Sequence, residues 1–262
     1  MPDVEQGFEG GLAGGGLLDL VIVGPGRLGR AAAAVLRGEG VAVRLIGRGE
    51  AIPPAEVVWL TVPDRMIAEV SAQVLPFGAP ERGVLLHASG ATDLSVLAPH
   101  PRAGSLHPLM TFSGSEAGPP LRGPVPAAVA GSPEAVAVAR ALALRLGWTP
   151  FEVPGDRRLY HAAAVMAGNF ATTLLAEAAA LLVAAGVPAE EAPGLLAPLA
   201  LTSIENAVRL GPRAALTGPV ARGDEAVLAA HRAALAALAP EALGTYESLV
   251  AATRRLLRPP TP

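Results

Sequence analysis

Five histidines, an asparagine in an apolar setting and a set of arginines with no lysine beside them are the side chains of this sequence that can move protons or hold charge. Imidazole titrates nearest neutrality, so His87, His100, His107, His161 and His231 come first for acid–base work. His87 follows the apolar run Val84, Leu85, Leu86, and His107 ends the segment AGSLHPL before Pro108, which puts both at the C-terminal ends of expected strands. His161 and His231 fall in helical patterns, and His100 lies in a proline-flanked loop expected at the surface. Any one of them can be a satisfied structural residue; two at adjacent strand ends point to proton transfer. Asn169 sits in the most apolar helical stretch, where an unpaired amide is costly, so its partner is a substrate, a cofactor amide or another helix. Arg222, in LTGPVARGD between two helices, is placed to hold an anionic substrate or a partner subunit. There is no cysteine, which excludes disulfides, thiolate catalysis and cysteine-ligated zinc, and the missing lysine excludes a Schiff base. The histidines show no H-x-x-H spacing, so no metal is expected.

A second constellation is made of backbone. Residues 17–30, LLDLVIVGPGRLGR, run from an apolar stretch into glycines spaced G-x-G-x-x-G. Alone, that spacing is weak in a chain with 30 glycines. Its context is what an NAD(P)-binding unit requires: a strand before it, an Ala-rich helix over 27–37 after it, and a second strand over 41–48. Gly24 permits the tight turn, Gly26 lets a diphosphate approach, Gly29 lets the helix pack close, and the helix N-terminus offers free N–H groups to the phosphates. About 20 residues past the glycines, where NAD-binding units place an acid for the ribose hydroxyl, this chain has Arg48. An arginine fork suits a 2′-phosphate, so NADP is expected ahead of NAD, although Glu50 nearby leaves NAD open.

The elements that must position these residues divide in two. Up to residue 153, apolar runs at 57–62, 84–87, 103–109, 125–131 and 148–153 alternate with helical patterns at 65–74 and 133–146. Asp64 is read as a helix N-cap, Ser132 and Pro133 as a cap and first helical residue, and the Gly/Ser/Pro-rich loop 110–126 as a flap over the site. From 156 on only long Ala- and Leu-rich helical stretches follow, over 157–185, 189–210, 224–238 and 240–257, with Asp224 as a further cap. The expected class is therefore α/β: a Rossmann dinucleotide-binding domain over 17–155 and an all-helical substrate and dimerisation domain over 156–258. Residues 1–16, acidic and glycine-rich, read as a disordered leader and not a signal peptide, and PPTP as a tail. A net charge of −3 gives no basic footprint for nucleic acid. The stretch 162–187 is apolar but interrupted by Asn169, Thr172, Thr173 and Glu177, so a buried helix of a cytoplasmic protein is expected in place of a membrane span.

Taken together, VIVGPGRLG, LTVPD, HASGA, SLHPLMTF, YHAAAVMAGNF and LTGPVARGD followed by His231 resemble a family of two-domain Rossmann-like proteins of undefined activity. That family is similar to pyrroline-5-carboxylate reductase, to deazaflavin-dependent NADP oxidoreductases and to the 6-phosphogluconate and β-hydroxyacid dehydrogenases. The resemblance runs over nearly the whole chain and implies a helical domain that pairs across a homodimer. It places Gly24, Gly26, Arg27, Leu28 and Gly29 at the diphosphate, Thr61, Val62 and Pro63 beside the nicotinamide half, and Ser89, His107 and Asn169 near the substrate. The dehydrogenases' lysine has no counterpart here, so their mechanism does not carry over. The resulting expectation is an NADP(H)-dependent reductase of a C=O or C=N bond in a small, anionic metabolite, with His107 or else His87 giving the proton, Asn169 orienting the reacting group and Arg222 holding a carboxylate. The alternative is a sensor or scaffold that binds NADP without turnover.

Overall fold

The computed structural model describes residues 19–74, 83–112 and 125–258. The expected leader, the first residues of the opening apolar run, most of the 110–126 loop and the PPTP tail lie outside the described residues. Among those described, the backbone divides into two compact units, the first ending at Gly168 and the second beginning at Asn169.

The first unit is built on seven strands: β1 (Asp19–Val23), β2 (Ala42–Ile46), β3 (Val57–Leu60), β4 (Val84–His87), β5 (Ala103–Pro108), β6 (Pro126–Gly131) and β7 (Thr149–Glu152). They lie in the order β2-β1-β3-β4-β5-β6-β7, every pairing parallel except the antiparallel β5–β6. The apolar runs are nearly unbroken because the sheet is buried on both faces. Leu20, Ile22, Val57, Trp59, Leu86 and Leu106 face α1 (Arg27–Gly38) and α3 (Pro133–Arg145). Alternate residues, Val21, Val23, Val58, Leu60 and Leu85, join Ile67 of α2 (Ile67–Ser71) and Leu97 on the other face. Trp59 and Trp148 meet edge to face with centroids 6.3 Å apart.

The chain leaves β1 for β2 on one side and then crosses to β3 on the other, so the C-terminal ends of β1 and β3 flank a crevice, the place where open parallel sheets bind ligands. Helix α3 starts as its sequence demands: Ser132 Oγ accepts from Ala135 N (3.2 Å) and Pro133 follows the cap. The unit closes with α4 (Arg157–Ala167), capped by Asp156, whose carboxylate accepts from Arg158 N (2.7 Å).

The second unit is helical: α5 (Asn169–Ala184), α6 (Ala192–Leu210), the short α7 (Pro212–Ala215) and α8 (Pro219–Arg222), α9 (Glu225–Leu238) and α10 (Leu243–Leu257). The single helix expected over 157–185 is interrupted at Gly168, whose φ of −103° and ψ of −73° lie at the margin of the right-handed helical region. Helix α6 starts three residues later than expected, at Ala192 beside Pro193, and Asp224 caps α9 by accepting from Val227 N (3.2 Å). Leu228 and Val250 are buried, and Leu235, Ala239 and Ala242 form a small core with Leu181, Leu243 and Tyr246 packed on it.

Leu106, fully buried at the middle of β5 between Ser105 and His107, ties the site strand to the core. Leu106→Ala should cost about 2–5 kcal/mol of folding free energy, measured by chemical denaturation.

Candidate active site

Two sets of residues meet at the C-terminal edge of the sheet in the first unit. The first is the glycine turn between β1 and α1. Gly24, at φ +113°, takes a backbone shape that suits glycine, and a Cβ on it would stand 2.9 Å from the Thr61 carbonyl and Val62 N. A Cβ on Gly29 would strike the Gly24 carbonyl and come within 2.7 Å of Thr61 Oγ1. Thr61 Oγ1 donates toward the Gly24 carbonyl (2.8 Å) and the Val23 carbonyl (3.1 Å), and Gly24 N donates to Ile46 O (3.0 Å). The turn is thus fixed to both neighbouring strands. Gly26 is different: nothing lies within 4 Å of where its Cβ would be, and as N-cap of α1 it offers no side chain to the first-turn N–H groups. Close-packed glycines behind and an open one in front, under an uncapped 12-residue helix, make a cradle that fits a dinucleotide diphosphate.

The other predicted cofactor residues lie around this turn. Arg27 is exposed and donates through Nη1 to Phe112 O (3.2 Å), Leu28 is packed against the core, and Val62 and Pro63 follow β3. Arg48 is exposed just past β2 and has no hydrogen bond or ion pair among the described residues, while the Glu50 carboxylate accepts from Gly47 N (3.2 Å). Asp64, expected as a helix cap, caps nothing. Its carboxylate accepts from Ser89 Oγ instead (2.7 Å), a partner far along the chain and invisible to local pattern.

The second set surrounds His107. His87 and Ser105 are register partners on β4 and β5, and His107, two residues past Ser105, projects from the same face. Strand β5 outruns β4, so His87 is wholly buried and His107 is half-buried at the edge. Ser89 N donates to His87 Nδ1 (3.2 Å), so neutral His87 carries its proton on Nε2, which is buried without a partner. Ser89 has no hydroxyl capacity to spare: besides donating to Asp64 it accepts from Ala91 N (3.2 Å) and Thr92 N (2.9 Å). Burial pulls both histidines from 6.5 to about 4. For His87 the Arg157 charge adds to this and Asp64 opposes it, and for His107 His161 and then Arg157 add to it. Both are neutral at pH 7.

Helix α4 supplies what the sequence reading missed. Tyr160 OH lies 2.7 Å from His107 Nδ1, the ring of His161 meets that of His107 with centroids 6.0 Å apart, and Arg157 Nη2 donates to Ser89 O (2.9 Å). Residues 157, 160 and 161 share one helical face, while Leu159 and Met166, on the other side, are 73% and 66% exposed. The helix is amphipathic in reverse, its ionisable face inward and its apolar face out, and a helical-wheel reading of 157–167 would have found it. Gly90 makes room for the cluster, since a Cβ there would come within 3.0 Å of His107 Cε1 and Nε2 and of His161 Cδ2.

The remaining candidates lie elsewhere. His100, expected at the surface, is half-buried with Nε2 3.3 Å from Ser71 O. Asn169 opens α5 and is exposed, and Arg222 ends α8; both belong to the second unit. In that unit His231 Nδ1 lies 2.8 Å from Tyr246 OH, and both line an apolar cavity of about 360 Å³ walled by Leu181, Ala185, Leu235 and Leu238.

The sheet order, the glycine cradle and the helical second unit define a Rossmann dinucleotide-binding domain followed by a helical domain. A family described only as a domain of unknown function (DUF2520) matches residues 125–253. No curated protein matches the chain. Among solved structures, it is similar to BF3122 of Bacteroides fragilis, provisionally named an NADP oxidoreductase, at 25% identity and a TM-score of 0.75, over 91% of this chain and 98% of that one. A reductive aminase from Aspergillus terreus, solved with NADPH and ethyl-5-oxohexanoate, shares 20% identity at a TM-score of 0.61, over 91% of this chain and 94% of that one. Plasmodium falciparum pyrroline carboxylate reductase with NADP bound shares 11% identity at a TM-score of 0.57, over 92% and 98% of the two chains. The resemblance read from the motifs is thus matched in the fold.

Two measurements check this geometry. Gly29→Ala should lower stability by about 1–3 kcal/mol through overpacking, whereas Gly26→Ala should leave the melting temperature unchanged and weaken dinucleotide binding. The buried histidines set a pH dependence: the unfolded chain takes protons near 6.5 and the native site only near 4, so stability is full above pH 6.5 and falls as the pH drops toward 4. For His87 the loss amounts to about 3 kcal/mol, and denaturation at stepped pH should show a shallower slope in His87→Gln.

Proposed function

We propose that this protein is an NADP(H)-dependent oxidoreductase that reduces a C=O or C=N bond in a small, anionic metabolite. The observation that carries the reading is the glycine turn at the switch point of the sheet, closed to any Cβ at Gly24 and Gly29 and open at Gly26. The named activities of the similar reductase structures support it. Gly24, Gly26, Arg27, Leu28 and Gly29 would hold the diphosphate, Thr61, Val62 and Pro63 would border the nicotinamide half, and Arg48, unpaired among the described residues, would meet the 2′-phosphate. When bound, the reduced cofactor supplies hydride.

His107 is assigned the proton transfer because it is half-exposed at the sheet edge. His87 is sealed beneath it and, with Ser89, shapes the loop. Asn169 is assigned to orient the reacting group and Arg222 to hold a carboxylate of the substrate. The second unit is assigned to a homodimer, since Leu195, Leu199, Leu201, Ile204 and Val208 of α6 are each more than half exposed, and the protein is assigned to the cytoplasm. The run 157–184 is long and apolar enough, by length and composition alone, to cross a membrane. Arg157, Arg158, His161 and Glu177 within it favour a second protein chain as its cover.

Fluorescence titration should show NADPH binding weakened at least about tenfold by Arg48→Ala, with NADH binding nearly unchanged; equal loss for both would remove Arg48 from the 2′-phosphate. Across a panel of cyclic imines, keto acids and semialdehydes, NADPH oxidation is expected, and binding without turnover would favour the sensor reading. His107→Gln should lower turnover about 100-fold with NADPH affinity retained. Light scattering should give twice the chain mass, and Val208→Asp, at a position 84% exposed, should return it to one.

A further inference from the structure

The reversed face of α4 presents a chemical problem that the assignment of His107 leaves open. Imidazole delivers a proton most readily as imidazolium, yet burial holds His107 near 4, so at pH 7 roughly one molecule in a thousand carries that form. A neutral imidazole can still pass a proton if it gains one at one nitrogen while losing one at the other. The structure has a donor in place for this, because Tyr160 OH is 2.7 Å from Nδ1. The opposite edge, Nε2, lies on the Gly90 side of the ring, where a Cβ would come within 3.0 Å of it and only a glycine leaves that edge unblocked by a side chain.

A second observation belongs to the same face. Arg157 has no ion-pair partner among the described residues, and its Nε and Nη1 are buried without hydrogen bonds. The carboxylate of Asp93 bears on it only through space, and a half-buried cation with no direct ion pair gains from a negative charge that forms beside it. Burial raises the Tyr160 phenol above its ordinary value, which keeps it protonated at rest, and the Arg157 charge offsets part of that push.

We propose that Tyr160, His107 and Arg157 form a proton relay in which Tyr160 O–H donates to His107 Nδ1, His107 Nε2–H donates to the substrate, and Arg157 steadies the phenolate that results. The inference rests on the reductase reading above. As the carbon of the C=O or C=N bond accepts hydride, the π electrons pass to the heteroatom, which takes the Nε2 proton. Nδ1 receives the Tyr160 proton, so the imidazole ends neutral in its other tautomer; solvent later protonates Nε2 while Nδ1 returns its proton to the phenolate, which resets the pair. Tyr160 acts through His107 and is a positioning and relay residue, not a group that touches substrate. Of the other titratable groups around the pair, His87 and Asp64 are bonded to Ser89, Asp93 acts on Arg157 and His87 through charge alone, and His161 meets His107 ring to ring, so the group in hydrogen-bond contact with Nδ1 is Tyr160.

The test begins with a property independent of turnover. In full-length protein with ¹⁵N-labelled histidine, the His107 signals being assigned by their loss in His107→Gln, long-range ¹H–¹⁵N spectra at pH 7 should show Nδ1 bare and Nε2 protonated. Tyr160→Phe should shift the His107 Nδ1 resonance and mix the two tautomers, with the melting temperature retained. A proton on Nδ1 in the wild type would overturn the relay. On the panel compound reduced fastest, Tyr160→Phe should lower kcat about 100-fold and move KM less than about threefold. The proton inventory in mixed H₂O and D₂O should change from curved to linear. Full kcat, or a curve that persists in the variant, also overturns it. If the wild type binds NADPH and reduces nothing, the reductase reading falls instead, and the tautomer spectra alone decide the pairing.

Discussion

The candidate site depends on a close approach of backbone to backbone. The β1–α1 turn lies so near the chain leaving β3 that neither Gly24 nor Gly29 can carry a side chain, and Thr61 fixes the contact by bridging the Val23 and Gly24 carbonyls. This sets where α1 begins. Because Gly24 N is also bonded to Ile46 O, the turn is held from β2 as well, and the first N–H groups of the helix are aimed at the crevice with little freedom. A site made of backbone needs such a constraint, since backbone has no rotamers with which to adjust.

The acid–base cluster is organised on a different principle. The cradle is consistent with every local rule of its sequence, whereas α4 violates the rule that a helix turns its apolar side to the core. Arginine, tyrosine and histidine are drawn inward against the end of β5 while Leu159 and Met166 face outward. Each inward group carries a desolvation cost, and part of it is recovered through the His107–Tyr160 and Arg157–Ser89 hydrogen bonds. Local inconsistency of this kind marks the places where stability has been exchanged for chemistry.

Most of the first unit was legible because its signals are local. Apolar runs buried on both faces, the glycine spacing and the cap at Ser132 each act within a few residues, and the strand-end placement of His87 and His107 follows from the same runs. Tyr160 was not legible as a partner of His107, because that contact depends on β5 extending beyond β4 and on the rotation of a helix more than 50 residues away. Asp64 shows the same limit: its local pattern is that of a cap, yet tertiary structure gives it the Ser89 hydroxyl. The break at Gly168 was hidden within an alanine-rich run whose propensity for helix is otherwise uniform.

The sheet itself ends in two guarded strands. At one side the Val43 carbonyl of β2 accepts from Arg37 Nε (3.2 Å) and Nη2 (3.0 Å), while Arg44 is paired with Asp19 of the neighbouring β1. At the other, β7 is only four residues long and contains Pro150, which has no N–H to offer, while Glu152 is engaged by Arg140. Neither side presents a continuous row of free donors and acceptors. A growing stack of strands, the usual route by which exposed sheets polymerise, is therefore interrupted at both margins.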